Sequence, residues 1–341
     1  MSRATAAFRW ARRELPRSYP WLLAHSCIGH ARRLRGFVRR RWIGDDPCRA
    51  SSDHAVYAHY DPEGMIHDYV VEQVRQLAGA GFRVTFVTNA RRLRETSVAL
   101  VRPYCREIIW RRNHGLDFGA YKDGLRAVGA LTQALASCER LVLMNDSVYG
   151  PFFPLREVTD KAPTEACDFW GITDSWERHF HVQTYFIMFF KSAIASPAFA
   201  RFWRRLPYVN SKSWVIRHGE VRLSQQLTRH RLSARVLCPY WDVARSVCEK
   251  LSRAGNAPAV ASDPRRSYAD ELKSNLVFGR ALNGTHYFWD TLIADFRAPF
   301  IKRDLILKNP QRIPDAWRWA ELISRHYPCD LEAIHRHLQA R

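Results

Sequence analysis

The fold is decided by the stretch AVYAHYDPEGMIHDYVVEQVRQLAGAGFRVTFV, residues 55–87. Its first six residues, 55–60, form an apolar run that predicts a buried strand. The apolar residues of the next segment recur at helical spacing: Ile66, Tyr69, Val70, Val74 and Leu77. Gly79 and Gly81 end this helix before a second predicted strand at 83–87. The stretch is therefore a strand-helix-strand crossover, the connection that joins parallel strands.

The same rhythm continues along the chain. A third strand is predicted at 107–110, a helix follows Gly119, and a fourth strand is predicted at 140–144. Strands that alternate with helices indicate a doubly wound, mostly parallel sheet flanked by helices. Because ligands bind beyond the carboxyl ends of such strands, we expect the chemistry in the loops after Tyr60, Val87, Trp110 and Met144.

Composition limits the class of protein. The chain has 341 residues, of which 47% are hydrophobic, so it can bury a large core. Its 53 Lys and Arg against 33 Asp and Glu give a net charge of +20. This charge favours an anionic partner, which leaves nucleic acid, acidic lipid and phosphorylated small molecules open. The eight cysteines include no Cys-x-x-Cys pair, which argues against a disulfide scaffold or a zinc ribbon.

The first 50 residues form a separate, basic arm. They contain twelve Arg and no Lys against Glu14, Asp45 and Asp46, and tryptophans are interspersed among the arginines. Arg with Trp is typical of a segment that lies in an anionic membrane interface. A solvated flanking arm and a nucleic-acid arm remain alternatives, and nucleic acid ranks below the membrane.

No apolar run reaches the roughly 18 to 20 residues that span a bilayer, and the first ten residues lack the apolar core of a secretory signal. We therefore expect a cytoplasmic protein that lies peripherally on the inner face of the membrane.

Several common catalytic signatures are missing from the sequence. It contains no G-x-G-x-x-G after the first strand and no P-loop, which disfavours a Rossmann dehydrogenase and a P-loop enzyme. It also lacks the Gly-x-Ser-x-Gly elbow and the His-Glu-x-x-His motif. The fourteen histidines are dispersed, so the sequence does not indicate a histidine metal site.

Polar residues follow two of the predicted strands. Arg112, Asn113 and Asp117 come after the third strand, and Asn145-Asp146-Ser147 comes after the fourth. A carboxylate at the end of a buried strand needs a cation, hydrogen-bond donors or a metal. Mg²⁺ and Mn²⁺ often combine one or two carboxylates with substrate phosphates, which would place a nucleoside diphosphate beside the strand end. The alternative is that Asn145 and Asp146 only cap a turn.

These residues resemble a known family. The matching motifs are RNxGxDFGAY at 112–121, LMNDSxxGP at 143–151, DFWG at 168–171, QxYF at 183–186 and GEVxLS at 219–224. Together they look like the rhamnan synthesis protein F family, whose members are treated as glycosyltransferases of surface polysaccharide assembly. The resemblance runs from about residue 55 to residue 240.

The order of motifs also resembles inverting glycosyltransferases of the GT-A fold. By position, Asn145-Asp146-Ser147 matches their Asp-x-Asp, which holds metal and sugar nucleotide, and Glu220 matches their acceptor-side base. Only Asp146 of the triplet is a carboxylate, so a requirement for Mg²⁺ or Mn²⁺ stays open. The resemblance thus implies a GT-A-like fold, with Glu220 and Asp146 as catalytic residues and Asp146 as the metal ligand.

Further site residues are carried over from the same motifs. We expect contacts to the donor from Arg112, Asn113, Asp117, Asn145, Asp146 and Ser147. We expect contacts to the acceptor or sugar from Trp170, Gln183 and Tyr185. Several have a structural alternative: Arg112 could pair with Asp117, Asp117 could cap its helix, and the aromatic side chains could be part of the core.

The sequence therefore predicts a basic arm at 1–50, a GT-A-like core at 51–252 and a loop with a helical C-terminal extension at 253–341. The expected function is transfer of a sugar, rhamnose by resemblance, from a nucleotide-diphosphate donor to a growing or lipid-linked glycan of the cell envelope. The alternative function is a non-catalytic basic protein that binds glycan, acidic membrane or nucleic acid.

Overall fold

The computed structural model describes residues 37–131, 135, 137–254 and 264–341, together with residues 20, 24, 27–29 and 31. Its strands are β1 (Val38–Ile43), β2 (His54–His59), β3 (Arg83–Thr88), β4 (Cys105–Arg111), β5 (Arg140–Asn145), β6 (Val148–Tyr149), β7 (Phe169–Ser175), β8 (His181–Val182), β9 (Phe186–Phe190), β10 (Ala234–Cys238) and β11 (Ile301–Lys302).

Its α-helices are α1 (Asp68–Gly79), α2 (Glu95–Val101), α3 (Leu116–Ala127), α4 (Leu155–Thr159), α5 (Lys191–Ala195), α6 (Pro197–Arg205), α7 (Lys212–Val215), α8 (Arg222–Arg229), α9 (Tyr240–Ala254), α10 (Pro264–Val277), α11 (Gly284–Tyr287), α12 (Trp289–Ala294), α13 (Arg303–Lys308), α14 (Trp319–His326) and α15 (Glu332–Gln339). Helices α7 and α8 are joined by a π-helical turn, Ile216–Val221.

One mixed sheet organises the molecule, in the order β1-β4-β3-β2-β5-β9-β7-β10. Strands β4, β3, β2 and β5 are parallel to one another, and β7 and β10 form a second parallel pair. Strands β1 and β9 run antiparallel to their neighbours, and β8 adds a short antiparallel pairing to β7. The predicted fold class, an α/β protein with a mostly parallel sheet flanked by helices, is confirmed.

Helices cover both faces of the sheet because the strands β2 to β5 are apolar on both sides. Tyr57 and Phe86 stack at 5.5 Å between ring centroids on one face, where α1 and the C-terminal helices pack. Val56 and Val87 belong to the cluster on the other face, where α3 and α6 pack. A strand buried on both faces reads as a continuous apolar run, which is why these strands could be recognised in the sequence.

Strand β1 lies within the segment that the sequence assigned to the basic arm. It pairs with β4 at the sheet edge, with Arg41 opposite Ile109, and most of its residues are exposed. An edge strand tolerates charge, so three successive arginines can sit in it without cost to the core. The prediction for residues 1–36 falls outside the described residues, apart from the isolated positions named above.

The C-terminal extension docks on the core. Arg336 of α15 pairs with Asp68 of α1 at 2.7 Å, and His337 Nδ1 lies 2.6 Å from the hydroxyl of Tyr149. Strand β11 pairs antiparallel with β6 and brings residues 301–303 to the end of β5. Residues 255–263 of the predicted loop lie outside the described residues. Among the helices of the described residues, none has the length and hydropathy to cross a bilayer.

Candidate active site at the carboxyl edge of the sheet

The carboxyl ends of β2 and β5 meet at Asp146, where the sequence predicted a site. Asp146 is 5% exposed, and its Oδ2 accepts a hydrogen bond from the backbone N–H of Tyr60 at 3.3 Å. The backbone N–H of Asn145 donates to the carbonyl of Tyr185 at 3.1 Å, which ties β5 to the segment before β9. Because β2 and β5 are parallel neighbours, the predicted loops that follow these two strands lie side by side.

Within the triplet Asn145-Asp146-Ser147, different residues cap the turn and present a carboxylate, the two roles that the sequence left open. Asn145 caps the turn, because its Oδ1 accepts from the backbone N–H of Ser147 at 3.1 Å. Its Nδ2 lies 3.5 Å from Oδ2 of Asp117. The carboxylate of Asp146 is instead directed at Arg303, whose Nη1 lies 3.2 Å from Oδ2. Asp146 is therefore an ion-pair partner as well as a hydrogen-bond acceptor.

Asp117 carries a carboxyl group that is held close to the charge of Asp146. It is the second residue of α3, and the helix cap is Gly115 rather than the side chain of Asp117. Burial, together with the negative charge of Asp146, raises the pKa of Asp117 to about 6 from 3.8. The predicted capping role is thus not observed, and a carboxyl group whose pKa is perturbed by a neighbouring charge is a feature of functional sites.

Hydrogen bonds from the side chain of Arg111 hold the segment before α3 in place. Arg111 is fully buried and donates to Asp123 Oδ2 at 2.7 Å and to the carbonyl of His114 at 2.8 Å. A Cβ on Gly119 would lie 2.0 Å from that carbonyl oxygen, so the motif requires glycine there. Arg112, predicted to contact the donor, follows Arg111 in the sequence and is exposed.

Asn113 is the other predicted donor contact of this segment. Its carbonyl accepts from Nδ2 of Asn210 at 3.1 Å, and its buried Oδ1 has no hydrogen-bond partner in the described part of the chain. An unsatisfied buried acceptor is costly, so a donor from a ligand would satisfy this atom.

Glu220, the predicted base, lies between two helical segments. It belongs to the π-helical turn between α7 and α8, so it does not start a helix. Its Oε1 accepts from the backbone N–H of Thr184 at 2.8 Å and from the Thr184 hydroxyl at 3.0 Å. Its Oε2 lies 4.0 Å from Nε2 of His181, and its side chain is 19% exposed. Hydrogen bonds from Thr184 thus hold Oε1 of Glu220 in place, and Oε2 remains available to a ligand. Single π-turns inside helices occur often at functional sites.

The three predicted acceptor contacts have different surroundings. Trp170 is 2% exposed and packs edge-on against Phe186, so its predicted contact to sugar is corrected to a core role. Gln183 accepts from the hydroxyl of Thr173 at 2.7 Å. The hydroxyl of Tyr185 lies 2.8 Å from the same Thr173 hydroxyl, and the Tyr185 ring faces Lys302. Gln183 and Tyr185 therefore border the site, whereas Trp170 belongs to the core beside it.

Lys302 and Arg303 belong to this site, and they were not among the predicted site residues. Lys302 Nζ lies 3.3 Å from Ser147 Oγ and 4.2 Å from the centre of the Tyr185 ring. Burial lowers the pKa of Lys302 to about 8 from 10.5, against the opposing charge of Glu220. The available signal was the segment Pro299-Phe300-Ile301-Lys302, which fits the family motif loosely.

The residues around Asp146 do not fit the predicted divalent cation. In the described residues, no group of three His, Cys, Asp or Glu side chains could hold a metal. Asp146 Oδ2 is already engaged by Arg303, and Lys302 stands beside Ser147. Two cationic side chains at the strand end repel a divalent ion. The side chains at this strand end therefore have the composition of an anion site.

The comparisons with known proteins agree with the motifs. Over 179 residues, 51% of this chain and 45% of the relative, it is 31% identical to the uncharacterized protein y4gN of Sinorhizobium fredii. Over 219 residues, 64% of this chain and 67% of the relative, it is 29% identical to the virulence protein VirA of Vibrio anguillarum. This chain thus spans just under half the length of y4gN.

A solved structure from Desulfovibrio desulfuricans G20, described as a nucleotide-diphospho-sugar transferase, has 16% identity and a TM-score of 0.31, covering 67% of this chain and 97% of that one. Residues 84–236, which hold β3 to β10 and most of the site, match the model of the family described as rhamnan synthesis protein F, so the resemblance stated from the motifs is confirmed.

Proposed function

We propose that this protein is a glycosyltransferase that uses a nucleotide-diphosphate sugar as its donor. The observation that carries the proposal is the convergence of Asp117, Glu220, Lys302 and the Asp146–Arg303 pair at the carboxyl edge of the sheet. A base and a cluster of cations are the two kinds of group that displacement of a diphosphate requires. The family match over residues 84–236 supports the same chemistry.

In the proposed reaction, Glu220 takes the proton from an acceptor hydroxyl. The hydroxyl oxygen forms a bond to the anomeric carbon, and the bond from that carbon to the diphosphate oxygen breaks. The electron pair leaves with the nucleoside diphosphate. Because one carboxylate activates the acceptor directly, a single displacement with inversion is the simplest mechanism. Oε2 of Glu220 suits this role, since Thr184 holds the other oxygen in place.

The donor is placed beside Asp117, Asn145 and Ser147, and the acceptor beside Gln183 and Tyr185. The sugar is proposed to be rhamnose and the acceptor a growing or lipid-linked surface polysaccharide, both on the strength of the family description. The basic arm is proposed to hold the enzyme on an anionic membrane surface, where a lipid-linked acceptor would be found.

Transfer can be tested with labelled donors. The purified protein is incubated with dTDP-, UDP- and GDP-linked sugars, rhamnose among them, and with a glycolipid extract as the acceptor. Incorporation of label with one donor, lost in the Glu220→Gln variant, is the expected result. Binding of glycan or membrane without incorporation from any donor would support the non-catalytic alternative instead.

A further inference from the structure

The C-terminal segment 301–303 is built into the site by main-chain hydrogen bonds. Strand β11 pairs with β6, with Ile301 opposite Tyr149 and Lys302 opposite Val148. The backbone N–H of Arg303 donates to the carbonyl of Ser147 at 3.0 Å. This segment lies beyond residues 84–236, the part of the chain that the family model matches. The backbone of residues 301–303 is therefore fixed beside the strand end.

Arg303 neutralises the one carboxylate of the strand-end triplet. Its side chain is 19% exposed, its Nη1 lies 3.2 Å from Asp146 Oδ2, and it also donates to the hydroxyl of Tyr69. The charge of Asp146 holds the pKa of Arg303 above its usual range, although burial acts in the opposite direction. Asp146 is thus a positioning residue for a cation.

Lys302 supplies a second positive charge that has no close anion. Its neighbours are the Ser147 hydroxyl and the Tyr185 ring, and in the described residues no carboxylate forms an ion pair with its Nζ. Glu220, Asp304 and Asp117 act on it only at longer range. A half-buried ammonium group without a paired anion is costly, which indicates that an anion completes the site.

We propose that Lys302 and Arg303 bind the diphosphate of the donor and stabilise the charge on the departing nucleoside diphosphate, so that the transfer needs no divalent cation. This inference rests on the proposed function. Cations that are fixed in place before the reaction stabilise developing charge without reorganisation, which is the contribution a metal ion makes in other enzymes. Arginine and lysine both form charge-assisted hydrogen bonds to phosphate oxygens.

The test measures the dissociation constants of UDP, GDP, CDP and dTDP by calorimetry, in EDTA and in Mn²⁺. The proteins are wild type, Lys302→Met, Lys302→Arg and Lys308→Met. Lys308 is a matched control because it is on the adjoining helix α13 and pairs with Asp304 at 3.1 Å, outside the site. A matching melting temperature for each variant confirms that it is folded.

For the nucleotide that binds, wild type is expected to give the same dissociation constant in EDTA and in Mn²⁺ within about threefold. Lys302→Met is expected to weaken binding at least tenfold, and Lys302→Arg and Lys308→Met by less than threefold. Binding that requires Mn²⁺, or Lys302→Met binding as wild type does, would overturn the inference and leave the proposed function standing. Absence of binding by every nucleotide under both conditions would overturn the proposed function itself.

Discussion

Arg303 Nη1 lies 3.2 Å from Asp146 Oδ2, although 157 positions separate the two residues in the chain. The pair joins the strand end that the sequence identified to a C-terminal segment that it did not. It also changes the role of Asp146, because a carboxylate that is paired with a guanidinium orients a cation instead of holding a metal. The ion pair is therefore central to how the site is built.

The pair predicts the stability of variants at Asp146. Asp146→Asn leaves Arg303 half-buried without its carboxylate, so we expect the free energy of unfolding to fall by about 1.5 to 3 kcal/mol. The double variant Asp146→Asn/Arg303→Met should recover part of this loss, since it removes both charges. Urea unfolding measures both.

The control is Glu139→Gln, which breaks an exposed ion pair with Lys191 and should cost less than about 1 kcal/mol. Equal stability of Asp146→Asn and wild type would show that the ion pair does not hold the site together.

Glu220 is expected to be the general base. General-base assistance is worth about 10² to 10⁴-fold in rate, so Glu220→Gln should lower turnover by that order while donor binding is retained. Gln keeps an oxygen that can accept from Thr184, so the fold should be preserved. Turnover of Glu220→Gln within about threefold of wild type would move the base to another residue, and Asp174 and Asp168 would be examined next.

The ionised carboxylate of Asp117 is expected to lower the free energy of unfolding. Its pKa of about 6 in the folded protein lies above the ordinary 3.8, so ionisation of Asp117 opposes folding. The contribution of Asp117 to the free energy of unfolding should therefore decrease as pH rises from about 4 through 6, and Asp117→Asn should melt at a higher temperature than wild type at pH 8.

Melting curves at pH 5 and pH 8 measure this effect, which should be smaller at pH 5. The exposed Asp45→Asn variant is the control and should show no comparable gain. A lower melting temperature of Asp117→Asn at pH 8 would mean that the ionised carboxylate stabilises the fold.

The basic arm is expected to bind anionic lipid. Attraction between surface charges is screened over roughly 8 Å at physiological ionic strength, so binding to acidic vesicles should weaken steeply with salt. Removal of residues 1–36 should abolish it, and this truncation retains β1 and the sheet edge. Flotation at low and high salt checks both points. Equal binding to neutral vesicles would refute the electrostatic explanation.

The sequence predicted the core of the sheet because its strands carry a strong local signal. Residues 55–58 and 141–144 are apolar on both faces, and a run of that kind marks a buried parallel strand without knowledge of its neighbours. The strand-end residues Asn145 and Asp146 followed directly from this. The edge strand β1 could not be recognised in the same way, because its arginines make it resemble a solvated segment.

Lys302 and Arg303 were missed for a different reason. They enter the site through a two-residue strand, which is too short for any periodicity, and the contact depends on pairing with β6 about 150 positions earlier. Arg111 and Arg112 show a related limit. The motif begins at Arg112, and only the alternation of side chains along β4 decides that the preceding Arg111 faces inward.

The most direct test of the central claim is a thermal-shift measurement of the purified protein against a panel of sugar nucleotides, in EDTA and in Mn²⁺. A ligand that binds only the folded state adds roughly 2.7 kcal/mol of stability at a hundredfold excess over its dissociation constant. We predict that at least one sugar nucleotide raises the melting temperature equally in both buffers, and that the shift is clearly smaller for Lys302→Met. If no sugar nucleotide raises it in either buffer, the protein is not a nucleotide-sugar transferase.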